Sequence, residues 1–217
     1  MAVGTIVRVW KETPRLHGVS IDVELGETHA RPGQFLLVNV GPKSPSEGPA
    51  NEVIPLAIAS APRVRPLELL FDATGRAKVE VGCSIDVGEA TGAGFDLEPA
   101  RGKDVLVFAV GSAISAVRPV LDMVAADRAG FGRVTFFYSA REEIEQAYRS
   151  RDPIWRDASI DVRRSNGLDW VQDAFRASPV PLSNAVAFVV GMKEMELAVR
   201  DTLVEAGLSP SQISSNI

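Results

Sequence analysis

Arg31-Pro32-Gly33-Gln34-Phe35, followed after a long polar loop by Leu56-Ala57-Ile58-Ala59-Ser60, is the part of this chain that decides its fold. Pro-Gly fixes a turn, because proline presets φ and glycine takes the positive φ that many turns require. Gln34-Phe35 then opens an apolar strand. Ile58-Ala59-Ser60 closes a second short strand, where the small residues let another molecule approach the backbone closely.

Outward from these segments, short alternating runs continue between turn residues. Strands are expected near Gly4 to Trp10, Gly18 to Glu24, Gln34 to Val40, Ile54 to Ser60, Pro66 to Asp72 and Cys83 to Gly88. Many short strands with little helix predict a small antiparallel β-barrel over residues 1–100. Gly41 to Asn51 has no apolar periodicity to bury, so it reads as a mobile loop; a lid is the alternative.

From Asp104 the texture changes to strands alternating with amphipathic helices. Val105 to Val110, Val134 to Tyr138, Ile160 to Val162 and Val186 to Val190 read as strands. Ile114, Val117, Leu121 and Val124 recur at helical spacing, as do Met195, Ala198, Val199, Thr202, Leu203 and Ala206, with Gly207 where a C-cap belongs. This βαβ rhythm predicts an α/β parallel-sheet domain over residues 101–217, joined to the barrel near Leu97 to Lys103.

Composition narrows the function. The 217 residues carry a net charge of -5 with both signs interspersed, which gives no footprint for nucleic acid. The single cysteine, Cys83, excludes an internal disulfide framework and a Cys-ligated iron–sulfur centre within this chain; it reads as a strand residue and fits a reducing compartment. His17 and His29 share no metal-ligand spacing, so no metal site is expected. No signal peptide and no membrane-spanning run is visible, and a cytoplasmic location is expected.

In an open parallel sheet, ligands lie outside the carboxyl ends of the strands. Gly111-Ser112-Ala113-Ile114-Ser115 follows the first of these strands directly, and its small residues allow a phosphate to approach a helix start. Close packing of strand on helix would require the same residues. At the next strand end, Ser139 and Glu142 have capping-box spacing. Arg141 is a candidate for an adenosine phosphate, and Glu142 and Glu143 beside it disfavour an extra 2'-phosphate, which favours NADH over NADPH.

The order of these pieces resembles the ferredoxin–NADP reductase superfamily over nearly the whole chain: R-P-G-Q-F, I-A-S, G-x-G-F at Gly92 to Phe95, the Gly111 turn, and Gly191-x-x-x-Met195. L-A-I-A-S and G-M-K-E-M look most like a branch of FAD/NAD(P)-binding oxidoreductases that includes plant fruit proteins. The resemblance implies FAD across the barrel and a nicotinamide nucleotide, NADH or NADPH, approaching it from the second domain. It places FAD at Leu56, Ala57, Ile58, Ala59 and Ser60, at Gly75, Arg76 and Lys78, and at Gly92 and Phe95. It places the nucleotide at Gly111, Ser112, Ala113 and Ile114, at Ser139 and Arg141, and at Gly191, Met192 and Met195.

The chain departs from the superfamily's motifs at several of these points. Ile54, Leu56 and Ala57 stand where Arg-x-Tyr-Ser would supply the pyrophosphate arginine, the stacking tyrosine and the ring-binding serine. Flavin contact is therefore expected from apolar packing of Leu56 and from backbone donors of Ala57 to Ser60, with a plain buried barrel strand as the competing reading. Lys78 replaces the hydroxyl of a Gly-x-x-Ser/Thr phosphate segment, Ala113 a glycine and Val190 a cysteine; Ile217 ends the chain where many relatives carry an aromatic residue. Pro119 is expected in the first turn of its helix.

The leading expectation is a flavin-dependent NAD(P)H oxidoreductase, or an electron-transfer component, serving an unidentified acceptor that a protein could supply. Such an enzyme needs no acid–base residue of its own, because flavin and nicotinamide carry the redox chemistry. The alternative is a reductase-fold binding or regulatory subunit that no longer holds flavin.

Overall fold

A computed structural model describes residues 1–40, 52–72, 79–167 and 170–215. The expectations for Gly41 to Asn51, for Gly75, Arg76 and Lys78, and for Ile217 fall outside them.

Six antiparallel strands form the first half: β1 (Ala2–Lys11), β2 (Leu16–Asp22), β3 (Phe35–Val40), β4 (Glu52–Ala57), β5 (Leu67–Asp72) and β6 (Ser84–Val87). Their order is β4-β3-β6-β1-β2-β5. The outer strands meet through an antiparallel bridge between Ile58 and Leu69, and the Ala59 N–H donates to the Glu68 carbonyl at 2.8 Å, which closes the barrel. Its core is the inward side of the alternating strands, including Ile6, Ile21, Leu36, Val38, Ile58, Leu69 and Val87.

The Arg31-Pro32-Gly33-Gln34-Phe35 segment is a structural knot. Gly33 has φ +87°, and a Cβ there would strike the Phe95 ring at 2.6 Å, so both backbone and packing demand glycine. The Gln34 side-chain oxygen accepts the N–H groups of Ala30 (2.8 Å) and Arg31 (3.0 Å), and its amide donates to the Gly92 carbonyl. The Phe95 N–H donates to the Pro32 carbonyl at 2.7 Å. These bonds tie the two motifs of the barrel together.

The second half is a five-stranded parallel sheet of order β11-β10-β7-β8-β9. Its strands are β7 (Asp104–Val110), β8 (Val134–Ala140), β9 (Ile160–Asn166), β10 (Ala185–Val190) and β11 (Ile213–Ser215). Helices α1 (Ile114–Ala126), α2 (Asp152–Asp157), α3 (Val171–Ala177) and α4 (Lys193–Glu205) cover it. The end of α4 is a Schellman motif: Gly207, at φ +101°, donates to Val204 O and Leu208 donates to Leu203 O.

Three expectations change. Cys83, read as a strand residue, lies exposed in the turn just before β6. Ser139 lies inside β8 and caps no helix; Glu143–Glu145, after it, form only a 3-10 turn. Pro119 sits in the interior of α1, because the helix begins at Ile114 and a 3-10 turn precedes it. The short helices α2 and α3 and the edge strand β11 have no counterpart in the sequence reading.

The halves share one buried seam. Leu16, Ala59, Leu70 and Phe95 pack in the same apolar cluster as Ala109, Ile114, Val117 and Phe188. Phe95 meets Phe188 edge-on, with ring centroids 5.0 Å apart.

Candidate functional site

The chain runs β7, β8 and β9 to one side of the sheet, then crosses back to place β10 on the other side of β7. The order therefore reverses between β7 and β10, the place where open parallel sheets bind their ligands. Gly111 and Gly191 follow these two strands directly, and Ser139 pairs with Val110 on the same sheet edge. Tertiary structure thus gathers residues that sequence separates by as many as eighty positions.

Gly111 has φ +52°, and no heavy atom lies within 4 Å of a Cβ built on it, so the turn stands open on that side. Ser112 is exposed, and the start of α1 carries no side-chain cap. The Ile114 N–H is spent on the Gly111 and Ser112 carbonyls, so a phosphate here would meet the Gly111 to Ala113 turn that leads into α1, where the helix dipole favours an anion. The Tyr138 hydroxyl holds this turn by donating to the Gly111 carbonyl at 3.0 Å and accepting the Ala147 N–H at 3.3 Å. Burial pushes the Tyr138 phenol up to about 12, against the opposing Ala147 N–H, so it remains a donor at neutral pH.

Gly191 is required by packing. A Cβ there would come within 2.0 Å of Met195 Cε and 2.8 Å of Val110 Cγ2. The Gly191 N–H donates to a Glu196 carboxylate oxygen at 3.0 Å. Burial raises the pKa of Glu196, partly offset by that N–H. Met192 is exposed beside the turn, whereas Met195 is only 2% exposed and belongs to the core beneath it. A side chain in that position supports the turn from below and is closed off from solvent.

On the barrel side the side-chain expectations fare differently. Ile54, Leu56 and Ile58 fall on one face of the strand and pack against the barrel core, Leu56 remaining half-buried. The expected backbone donors are largely spent: the Ile58 N–H goes to Gln34 O at 2.9 Å and the Ala59 N–H to Glu68 O. Ser60 Oγ accepts the Glu68 N–H at 3.1 Å. Phe95, 1% exposed, is the wedge of the interdomain seam and presents no ring face to a ligand. Gly92 is exposed at φ +94°, with its carbonyl held by Gln34. Pro55 is exposed on β4 and Ala57 half-buried.

Ala113 is half-buried and Ile114 fully so, and the Ile114 N–H is already bonded to the Gly111 and Ser112 carbonyls. Arg141 is exposed past β8, and Glu143 beside it pairs with Arg149 at 2.9 Å. A cleft of about 460 Å³ opens nearby, between Trp10 to Glu12 of the barrel and Glu143 to Ser150; it takes in Glu143 but none of the residues proposed from sequence to contact a cofactor. Sequence reading passed over Tyr138, Glu196 and Arg118. Arg118 left a signal, a charge four residues after Ile114 on the apolar stripe of α1.

No protein-family model matches the chain. It is 25% identical over 223 residues to the sulfhydrogenase 2 subunit gamma of Pyrococcus furiosus, covering 89% of this chain and 74% of that protein. Among solved structures it is similar to the flavohem-like FAD/NAD-binding domain of nitric oxide dioxygenase from Vibrio cholerae, with TM-score 0.79 and 16% identity over 99% of this chain and 97% of that one. A ferredoxin–NADP+ reductase from Neisseria gonorrhoeae with bound FAD and NADP gives TM-score 0.76 and 20% identity over 99% and 97%. The corresponding Plasmodium falciparum enzyme in complex with 2'P-AMP gives 0.81 and 14% over 99% and 95%. The fold is that of the ferredoxin–NADP reductases.

Proposed function

We propose that this chain is a flavin-dependent NAD(P)H oxidoreductase, or the electron-transfer component of a larger one. The observation that carries the reading is the open Gly111 turn leading into α1 at the switch point between β7 and β10, built beside a closed six-stranded barrel. Its support is the likeness to folds that hold FAD and NADP, and the similarity to a hydrogenase gamma subunit favours an electron-transfer role with a protein acceptor. Within the fold, L-A-I-A-S and G-M-K-E-M favour the plant fruit-protein-like branch. We take residues 1–100 as the flavin unit and 101–217 as the nucleotide unit.

When bound, flavin and nicotinamide supply the hydride chemistry. The protein supplies position. Amides of the Gly111 to Ala113 turn leading into α1 receive the nucleotide's phosphates, Tyr138 fixes that turn, and Glu196 fixes the Gly191 turn beside it. The stretch of β4 at Pro55 and Ala57 takes the flavin, with Arg76 and Lys78 as its phosphate partners. The apolar seam through Ala59, Phe95 and Ile114 keeps water out from beneath the site. Acidic Glu142 and Glu143 favour NADH over NADPH. The unpaired, exposed thiol of Cys83 favours the cytoplasm, and no helix among the described residues is long and apolar enough to cross a membrane.

A second reading has its own observation. The Ile58 and Ala59 amides are already used in barrel closure, and the motif's Arg, Tyr and Ser are Ile54, Leu56 and Ala57, which favours a binding subunit without flavin. The visible spectrum of the purified protein, before and after addition of FAD, separates the two. Bound-flavin bands that bleach with NADH are expected. A colourless protein whose melting temperature ignores FAD would overturn the redox reading.

A further inference from the structure

Arg118 is a buried cation at the junction of both halves, 4% exposed although its helix carries an otherwise apolar stripe. Its guanidinium pairs with the Glu68 carboxylate of β5, approaches Asp122 at 3.4 Å, and lies over the Tyr148 ring at 4.7 Å. Each partner anchors a different part of the molecule. The Glu68 backbone holds the Ala59 N–H and Ser60 Oγ, the end of the proposed flavin segment. Asp122 accepts the Trp155 indole N–H from α2 at 2.9 Å, and the Tyr148 N–H donates to Glu12 of the barrel at 2.6 Å. Arg118 itself stands one turn after Ile114, on the helix whose start faces the proposed nucleotide site.

A buried ion pair is a poor source of net stability, because desolvation of both charges offsets their attraction, and apolar replacement of the pair is often neutral. What a planar guanidinium, paired with Glu68 and Asp122 and stacked over the Tyr148 ring, supplies is fixed geometry. We propose that Arg118 is a positioning residue: by clamping Glu68 to α1 it sets the orientation of the barrel against the nucleotide half, and so the approach of the nicotinamide to the flavin. The orientation claim stands on the geometry above; its functional consequence rests on the redox reading.

Two measurements on the full chain test it, with Glu68→Leu/Arg118→Met as the apolar replacement. The first is the distance distribution between spin labels at Val53→Cys and Leu197→Cys, both exposed, in a Cys83→Ser background. The parent is expected to give one narrow distance and the double variant a broader or displaced one, with folding retained; an unchanged distribution overturns the proposal. The second is FAD reduction by saturating NADH, expected to slow by about tenfold to a hundredfold while both affinities stay within about threefold. A parental rate in a variant whose distances have spread overturns the functional consequence. A parent that binds no FAD defeats the redox reading alone, since the label distances still decide the orientation. Should the double variant fail to fold, Arg118→Lys, which keeps the charge but loses the fork, is expected to broaden the distances to a smaller extent, and parental distances in it would overturn the proposal.

Discussion

His29 shows how burial alone gives one side chain a pH-dependent role. It is 5% exposed, Nε2 has no hydrogen-bond partner, and burial lowers its pKa below the ordinary imidazole value. The folded protein therefore keeps His29 neutral, while the unfolded chain takes up a proton near pH 6.5. Because the unfolded state binds more protons there, this stabilisation is present above pH of about 6.5 and is lost as pH falls through the lowered folded-state value. Urea midpoints measured from neutral pH to pH of about 5 should decline less steeply in His29→Phe than in the parent; parallel declines would refute the assignment. Sequence excluded His29 from metal ligation, but which neighbours deny it a partner is a tertiary property.

At the scale of elements, turn chemistry was the legible part. Gly33 and Gly207 both take positive φ at the places where the sequence puts a turn and a helix end, because glycine alone adopts that conformation without strain. Gly111 belongs with them. A β-branched residue at φ +52° carries strain of about 1–2 kcal/mol or more, although the space around it is open. Gly111→Val should lower stability by that amount and weaken nicotinamide nucleotide binding without changing flavin affinity; equal nucleotide affinity in variant and parent would count against the placement. The misread elements were the short ones. Helices α2 and α3, of 6 and 7 residues, hold too few turns to show a period, and β11 exists only by pairing with β10. Ser139 had capping-box spacing, but its strand ran on to Ala140 because β9 was there to pair with it.

Over the whole molecule, the seam packs the two textures into one continuous apolar core. Phe95 fills the space between Gly33 of the barrel and Phe188 of the parallel sheet, so truncating it opens a cavity that neither half can close alone. Phe95→Ala is expected to cost about 3–5 kcal/mol in equilibrium unfolding. The parent's circular dichroism and tryptophan transitions should coincide, because apolar packing continues across the junction. A loss below about 1 kcal/mol would show that the seam adds little to stability. The G-x-G-F ring lies inward as a wedge, and the Met195 side chain lies inward beneath Gly191, orientations that spacing along the chain does not reveal.

By itself the sequence determined the two architectures, their order and most strand positions, since period-two and period-3.6 apolar patterns are written locally and turns need particular residues. It also records that Ile54, Leu56 and Ala57 stand where the motif it resembles has arginine, tyrosine and serine. Only the tertiary structure decided which backbone amides remain free, because an N–H is spent or spare according to the strand that arrives beside it. It likewise decided that one buried arginine joins Glu68, Asp122 and Tyr148, a meeting that depends on chain crossings no local pattern records.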